Sequence, residues 1–475
     1  MAPAACQRSD GGKTDVTVIG EPPKIVDPSA GALTESQAVL LSNVAQGLVR
    51  FDASGQIVPG LAERWNVTDD GLSYIFRLQA MSWPDGRKLT AKDVARILRR
   101  QIASRSSNSL KDTLGAIDQI VPMTDRVLEI SLKAQRPHLL QLLAQPEFGI
   151  VRDGQGTGPF RITPESKPDV LDLVRTVASA DEEVTEREEV VLGGRSATAA
   201  IQSFRDGKTD LVLGGTFGDL PYTHVQGLPK NSLRFDPAAG LFGLVPARAD
   251  GPLADREVRR LLNQAVDRQA IIDALNVPGL LPRATLLEPG LDGVPDPTPP
   301  QWLPVPIDQR RPALSATADR LFGRPDRPVL RIALPDTPGA KIMLSRLASD
   351  WGAIGIQVER AGPGQAADLR LIDTVAPSTS PAWYLRTFRC GSVAICDPEA
   401  DDLLDGARAA SLTAQRNALL GQAAQKMDDD QLFIALAAPI RWSLVSNRVQ
   451  SFATNRFARH TLTSLRQRPD RERSD

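Results

Sequence analysis

Residues 329–358 constrain the architecture more than any other stretch. Residues 329–334 alternate as a strand, 339–351 read as a helix ended by Gly355, and Ile356-Gln357-Val358 forms a return strand. Such a βαβ unit demands a parallel sheet with a right-handed crossover. Further strands are expected near both chain ends: residues 15–20 (DVTVIG) are β-branched and alternating, and others are expected near 432–437 and 442–449. Strands at both ends and a βαβ unit between them predict α/β domains assembled from discontinuous segments.

The intervening pattern is legible in places. Thr34 with Gln37 makes a capping box for a helix whose apolar face is Leu40, Leu41, Val44, Ala45 and Leu48. Asp69-Asp70-Gly71 and Pro84-Asp85-Gly86 are turns around a strand with Tyr74, Phe76 and Leu78 on one face. Thr90 caps a further helix, with Asp93 favourable near its positive end. Residues 254–275 read as one amphipathic helix, and 278–312 as a proline-rich surface excursion without periodicity. A helix is expected near 413–428.

The chain's 475 residues imply roughly two to four domains. A formal net charge of -1 leaves no global basic field, which argues against a nucleic-acid partner. No stretch reaches the about 18 apolar residues of a membrane span. Catalytic chemistry has little foothold. His138, His224 and His460 stand far apart, without further ligands at metal spacing. There is no G-x-S-x-G elbow. GQGTGPF at 154–160 lacks the lysine and spacing of a phosphate loop. The run Asp428-Asp429-Asp430 is expected at a helix end or in solvent. No catalytic residue, metal ligand or cofactor is expected.

The cysteines suggest an exported chain. Ala4-Ala5-Cys6 looks like the end of a bacterial lipoprotein signal, with Cys6 lipidated and residues 7–14 as a polar tether, although Pro3 stands where leucine is usual. An incidental cysteine is the alternative. Cys390 and Cys396 are spaced Cys-x5-Cys, which fits a local disulfide in an exported protein; two reduced loop cysteines are the alternative.

The segment GLVRFDASGQIVPGLAERWNVTDDGLSYIFRL, followed by WPDGRKLTAKDV, resembles the signature block of extracytoplasmic solute-binding proteins of the peptide/nickel class, the receptors of bacterial ABC importers. TGPFRI, IQSFRDGKTDL, GPLADREVRRLLNQAVDRQAII, LASDWGAIGIQVE and DPEADDLLDGAR match further blocks in order, so the similarity covers about 40 to 460. The resemblance implies a two-lobed periplasmic binding protein fold (type II, cluster C) with an extra inserted domain. It places 15–47, 156–250 and 445–465 in the first lobe, 48–155 in the insert and 251–444 in the second lobe. Residues 1–14 would be the tether and 466–475 a charged tail.

It also implies a site. Glu21 and Pro23 follow the first strand, whose C-terminal end faces the cleft in such folds. Phe242, Leu244, Asp373, Val375, Trp383, Tyr384 and Arg386 match family positions that line the ligand. Peptide receptors of the family place a Trp and then an acidic residue before the Asp-Pro-Glu block, to hold the ligand's α-ammonium. Here the acidic position falls near Pro377 and the Trp is missing, while Pro246 falls near a usual Asn. Asp373 substitutes only if the register differs by a few residues. The implied function is capture of a small solute, peptide or peptide-like, by a periplasmic or lipid-anchored monomer that serves a permease and ATPase. An orphan interaction protein of the same fold, without an importer, is the alternative.

Overall fold

The computed structural model describes residues 13–178, 185–323, 327–362 and 364–467. Its βαβ unit is the one expected. Val329–Ala333 and Gln357–Arg360 pair in parallel, with Val329 opposite Gln357. Helix Pro338–Gly352 connects them, capped by the Thr337 hydroxyl. Trp351 closes the unit from inside: it is fully buried, and its indole N–H donates to the Leu262 carbonyl at 3.0 Å.

Two large sheets organise the chain. The first has seven strands in the order Arg161–Ile162, Val170–Ala178, Thr185–Arg195, Thr14–Ile19, Leu211–Thr216, Arg441–Val445 and Leu233–Phe235. Alternation buries Val16, Val18, Leu171, Leu173, Val190 and Leu192 against Val39, Leu40 and Val44 of helix Glu35–Val44. That helix starts at the expected capping box: the Thr34 amide donates to Gln37 Oε1 at 3.0 Å, and the Gln37 amide returns to the Thr34 hydroxyl at 3.4 Å.

The second sheet has five strands, Gln357–Arg360, Val329–Ala333, Leu369–Val375, Gly240–Pro246 and Ile434–Ala437. Helices cover both of its faces. Leu330, Ile332, Phe242 and Leu244 pack with Met343, Leu347 and Trp351, while Leu241, Val245 and Ile372 pack with Leu404, Leu420 and Met427.

Inserted in sequence between Thr14–Ile19 and the remaining strands of the seven-stranded sheet, Ala62–Val67, Ser73–Leu78, Val127–Leu132 and Ile117–Thr124 form an antiparallel sheet of their own. Tyr74, Phe76, Leu78, Leu128 and Ile130 meet Val94, Ile97 and Leu98 of helix Ala91–Ile102 beneath it. The glycine-rich turn after this unit serves close packing. A Cβ on Gly156 would lie 2.2 Å from the Val44 carbonyl oxygen, so only glycine lets the chain pass the helix end.

Several boundaries differ from the expectation. Gly240–Pro246 belongs to the five-stranded sheet, between Leu369–Val375 and Ile434–Ala437, so the lobe change comes at residues 236–239 and not at 250. Likewise Arg441–Val445 pairs with Leu211–Thr216 in the seven-stranded sheet, so the return falls at 438–440 and not at 444. The motifs used to set these limits mark helix starts, whereas sheet membership is decided by long-range pairing.

Residues 254–275 form two helices, Arg256–Gln264 and Arg268–Leu275. The Asp267 carboxylate caps the second by accepting from the Ala270 amide at 3.0 Å. The proline-rich excursion gives way to helix Ile307–Phe322, which tolerates Pro312 in its second turn. Arg466–Gln467 pairs with Val449–Gln450, so the expected charged tail begins as a strand. Cys6 lies outside the described residues.

Candidate functional site

The ends of the parallel strands show which edges of the two lobes meet. Thr14–Ile19 and Thr185–Arg195 finish side by side, the Gly20 amide donating to the Arg195 carbonyl at 2.8 Å. In the second lobe Val329–Ala333 and Leu369–Val375 end in the same direction. The turn after Leu211–Thr216 touches the start of helix Pro338–Gly352: the Gly339 amide donates to the Gly218 carbonyl at 3.0 Å. The strands' C-terminal edges therefore face one another, the usual place for a ligand in open α/β sheets. The chain crosses between the lobes at 236–239 and 438–440.

The expected site residues divide into three groups. Glu21 is exposed and Pro23 buried, and the Glu21 carbonyl lies against Gly194, where a Cβ would come within 2.1 Å of it. Val375 is half-buried opposite Gly240, and Trp383 is half-buried with its ring edge-on to Tyr384 at 5.0 Å. Of these four only Glu21 is exposed, and Trp383 packs against the second-lobe core.

Phe242, Leu244 and Tyr384 are instead core. Phe242 is 1% exposed and meets Phe217 edge-on at 5.0 Å, and Leu244 and Tyr384 are fully buried. Phe242 and Leu244 stand on a central strand covered by helices on both faces, and Tyr384 stands on helix Pro381–Arg386, one of the elements packed against that sheet. The Tyr384 hydroxyl donates to Glu288, and burial followed by the Glu288 charge raises its pKa. Arg386 turns away to the insert, donating to the Asp112 carbonyl at 2.7 Å.

Asp373 is already occupied. Arg441 Nη1 donates to its Oδ1 at 2.8 Å, and Nη2 to its backbone carbonyl at 3.2 Å. Burial raises the Asp373 pKa and the Arg441 charge opposes that rise. Since Asp373 stands in the second lobe and Arg441 opens the first strand after the crossover, the pair ties the lobes at the hinge.

Other residues at this boundary were not anticipated. Arg459 pairs with Glu35 Oε2 at 3.3 Å and Glu147 Oε1 at 3.2 Å, and its Nε donates to Gln145 Oε1 at 3.2 Å. Burial lowers the Arg459 pKa, but Glu147 and Glu35 outweigh it and leave it raised. Gln145 carries the contact across, its Nε2 donating to the Pro377 carbonyl at 2.8 Å. Nearby, the Thr379 amide donates to Gln141 Oε1 at 2.8 Å and its hydroxyl lies 3.1 Å from His138 Nδ1. Burial lowers the His138 pKa, with Asp292 opposing.

Glu288, buried in the second lobe, pairs with Arg283 and stands 3.9 Å from Arg456. The signal that could have found these residues was the cation spacing in FATNRFARH, where Arg456 and Arg459 follow the last strand of the first lobe. Cys390 and Cys396 are joined, with Cα atoms 5.1 Å apart, beside helix Pro398–Ala409. Among the described residues no three His, Cys, Asp or Glu side chains gather as a metal site, and no helix is long and apolar enough to cross a membrane.

Known proteins share both pattern and shape. Residues 56–383 match the family described as bacterial extracellular solute-binding proteins, family 5 Middle. A probable di/tripeptide-binding protein 5 of Pseudomonas aeruginosa is 24% identical, with 93% of this chain and 92% of that protein covered. The probable deoxycholate-binding periplasmic protein YgiS of Escherichia coli is 27% identical over 54% of this chain, and the chain spans about half (53%) of its length.

Among solved structures, the murein tripeptide binding protein MppA of Escherichia coli superposes with a TM-score of 0.81 at 18% identity, covering 96% of this chain and 98% of that one. Haemophilus influenzae OppA in complex with RPPGFSPFR gives 0.80 at 15% identity, covering 96% and 99%. The two sheets joined at paired crossovers are thus the two-lobed periplasmic binding protein fold. The family match spans more than half of the sequence, and the chain belongs to the bacterial extracellular solute-binding proteins of family 5.

Proposed function

We propose that this chain is the substrate-binding component of an ABC importer. It captures a small solute, peptide or peptide-like, between its lobes and delivers it to a membrane permease powered by an ATPase. The observation that carries this reading is the pair of short crossovers at 236–239 and 438–440, which join two lobes whose strand ends face each other. Such a connection permits hinge closure around a ligand. The protein works as a monomer in the periplasm or at the outer face of the cytoplasmic membrane, held there by lipid on Cys6, with Cys390 and Cys396 oxidised.

The site reading follows from charge. A free ammonium buried without a carboxylate is costly. Asp373 is held by Arg441, so an α-ammonium is not the recognised feature. Backbone contacts along the strand ends and the half-buried face of Trp383 serve instead, with Glu21, Pro23 and Val375 around them. Mass spectrometry of solute extracted from native-source protein, with calorimetry on a di- to pentapeptide library, tests this. Binding that survives N-acetylation supports it. Sub-micromolar binding abolished by N-acetylation would show an anchor at Asp373 or Glu21.

A further inference from the structure

Three arginines of the C-terminal region, Arg441 and Arg456 beside the crossovers and Arg459 between the first lobe and the insert, differ in how far they are satisfied. Arg441 donates to the Asp373 carboxylate and carbonyl and to the Ile440 carbonyl at 2.9 Å. Arg459 serves Glu35, Glu147 and Gln145. Arg456 has much less. Its nearest carboxylate oxygen, Glu288 Oε1, is 3.9 Å away, beyond hydrogen-bond reach. Glu288 is itself served already by Arg283 and the Tyr384 hydroxyl. Arg456 Nε is closed to solvent and has no hydrogen-bond partner, yet the side chain as a whole stays 36% exposed.

Its backbone stands at the crossover between the lobes. The Arg456 carbonyl accepts from Ala239 at 2.9 Å, at the crossover. Ala239 in turn accepts from the Ala376 amide at 2.8 Å, just past the strand end that faces the first lobe. The site is therefore polarised: the carboxylate that would attract a cation is filled, while a guanidinium that would attract an anion is left under-used. A buried donor without an acceptor is costly, and a planar oxyanion offers two oxygens to a guanidinium edge.

We infer that Arg456 is a ligand-binding residue that takes a carboxylate of the solute, and that the cleft selects acidic solutes carrying no ammonium group near Asp373. This rests on the capture of a solute between the lobes proposed above, and it adds the ligand's chemical class. On lobe closure the carboxylate enters between Arg456 and the 376–380 loop, while Arg441 keeps Asp373 neutralised.

The test uses full-length protein and three probes: N-acetyl-trialanine, its C-terminal amide, and trialanine amide with a free N-terminus. Calorimetry is expected to show the acid binding at least tenfold tighter than either amide. Arg456→Gln should bring the acid down to the amide's level and leave the amide unchanged, and Arg456→Lys should retain part of the difference. The acid-to-amide contrast in the unmodified protein decides the matter even if both variants fail to fold.

Solute extraction separates the two readings. If no peptide probe binds but an acidic solute is recovered and Arg456→Gln loses it, the carboxylate role stands and the peptide class falls. A recovered peptide bound equally as acid and amide overturns the carboxylate role and leaves solute capture intact. Preference for trialanine amide, or recovery of no acidic solute with no binding of the acid probe, also overturns it.

Discussion

Asp373 shows how far one side chain can be read in isolation. As a residue near a strand end it resembles a ligand anchor; with Arg441 against it, it is half of an internal ion pair. Removing one partner of such a buried pair is more damaging than the pair is stabilising. Arg441→Met should therefore destabilise by about 3 kcal/mol in denaturant melts, and Asp373→Asn/Arg441→Met should recover part of it. A double variant no more stable than Arg441→Met would show that the two do not interact. Asp428 allows a pH test. Burial raises its carboxyl pKa to about 7, partly opposed by the Leu286 amide. The folded state then holds a proton that the unfolded chain releases near pH 4, so stability falls as pH rises from about 4 to about 7 and levels above. The loss is about 1–3 kcal/mol, allowing for residual exposure. Asp428→Asn, which keeps the acceptor for Leu286, should flatten this slope and be the more stable form at pH 7.5 in thermal melts.

At the scale of elements, the βαβ unit was legible because three signals agree: strand alternation, a return strand at Ile356-Gln357-Val358 and Gly355 at the helix stop, where φ is +83°. Its energetic centre is Trp351. Trp351→Ala should cost about 3–5 kcal/mol, since it opens a large cavity and removes the indole hydrogen bond to the Leu262 carbonyl, which keeps the Ala265 amide as a donor. Trp351→Phe should cost less, and equal losses would show that packing contributes little beyond the hydrogen bond. The helix over 254–275 was misjudged because its apolar stripe runs on through Ala265 and Val266, both buried. Periodicity does not register the break, which Asp267 makes by capping afresh. Helix Ile307–Phe322 was missed for the opposite reason: Pro312 signals a stop, although a second-turn proline forfeits only one hydrogen bond.

For the whole molecule, the insert and the second lobe touch through few but specific contacts. Gln145 reaches the Pro377 carbonyl, Arg386 the Asp112 carbonyl, and Gln141 the Thr379 amide. These would break if the lobes opened, so they bear on the balance between open and closed forms. Gln145→Ala removes a buried contact worth about 1 kcal/mol, which should shift the balance about fivefold toward the open form. Small-angle scattering of unliganded protein should show a larger radius of gyration for the variant. An unchanged radius would mean that the contact persists through opening or does not hold the lobes together.

The sequence by itself determined the α/β class, the family blocks, the capping boxes and the absence of familiar catalytic motifs. All of these are local, written in periodicity or in residues a few positions apart. Only the tertiary structure decided which sheet each strand joins and which side chains reach the space between the lobes. Gly240–Pro246 reads as an apolar strand in either lobe, and pairing with residues 369–375 and 434–437 makes it part of the second. Phe242 and Leu244 lost their expected place because helices cover both sheet faces, and Tyr384 because its helix packs onto one of them. Arg441 and Arg456 come to the crossovers because the chain returns there to the first lobe. Ion pairs such as Arg441 with Asp373 join residues 68 positions apart, and no local pattern encodes a partner at that distance.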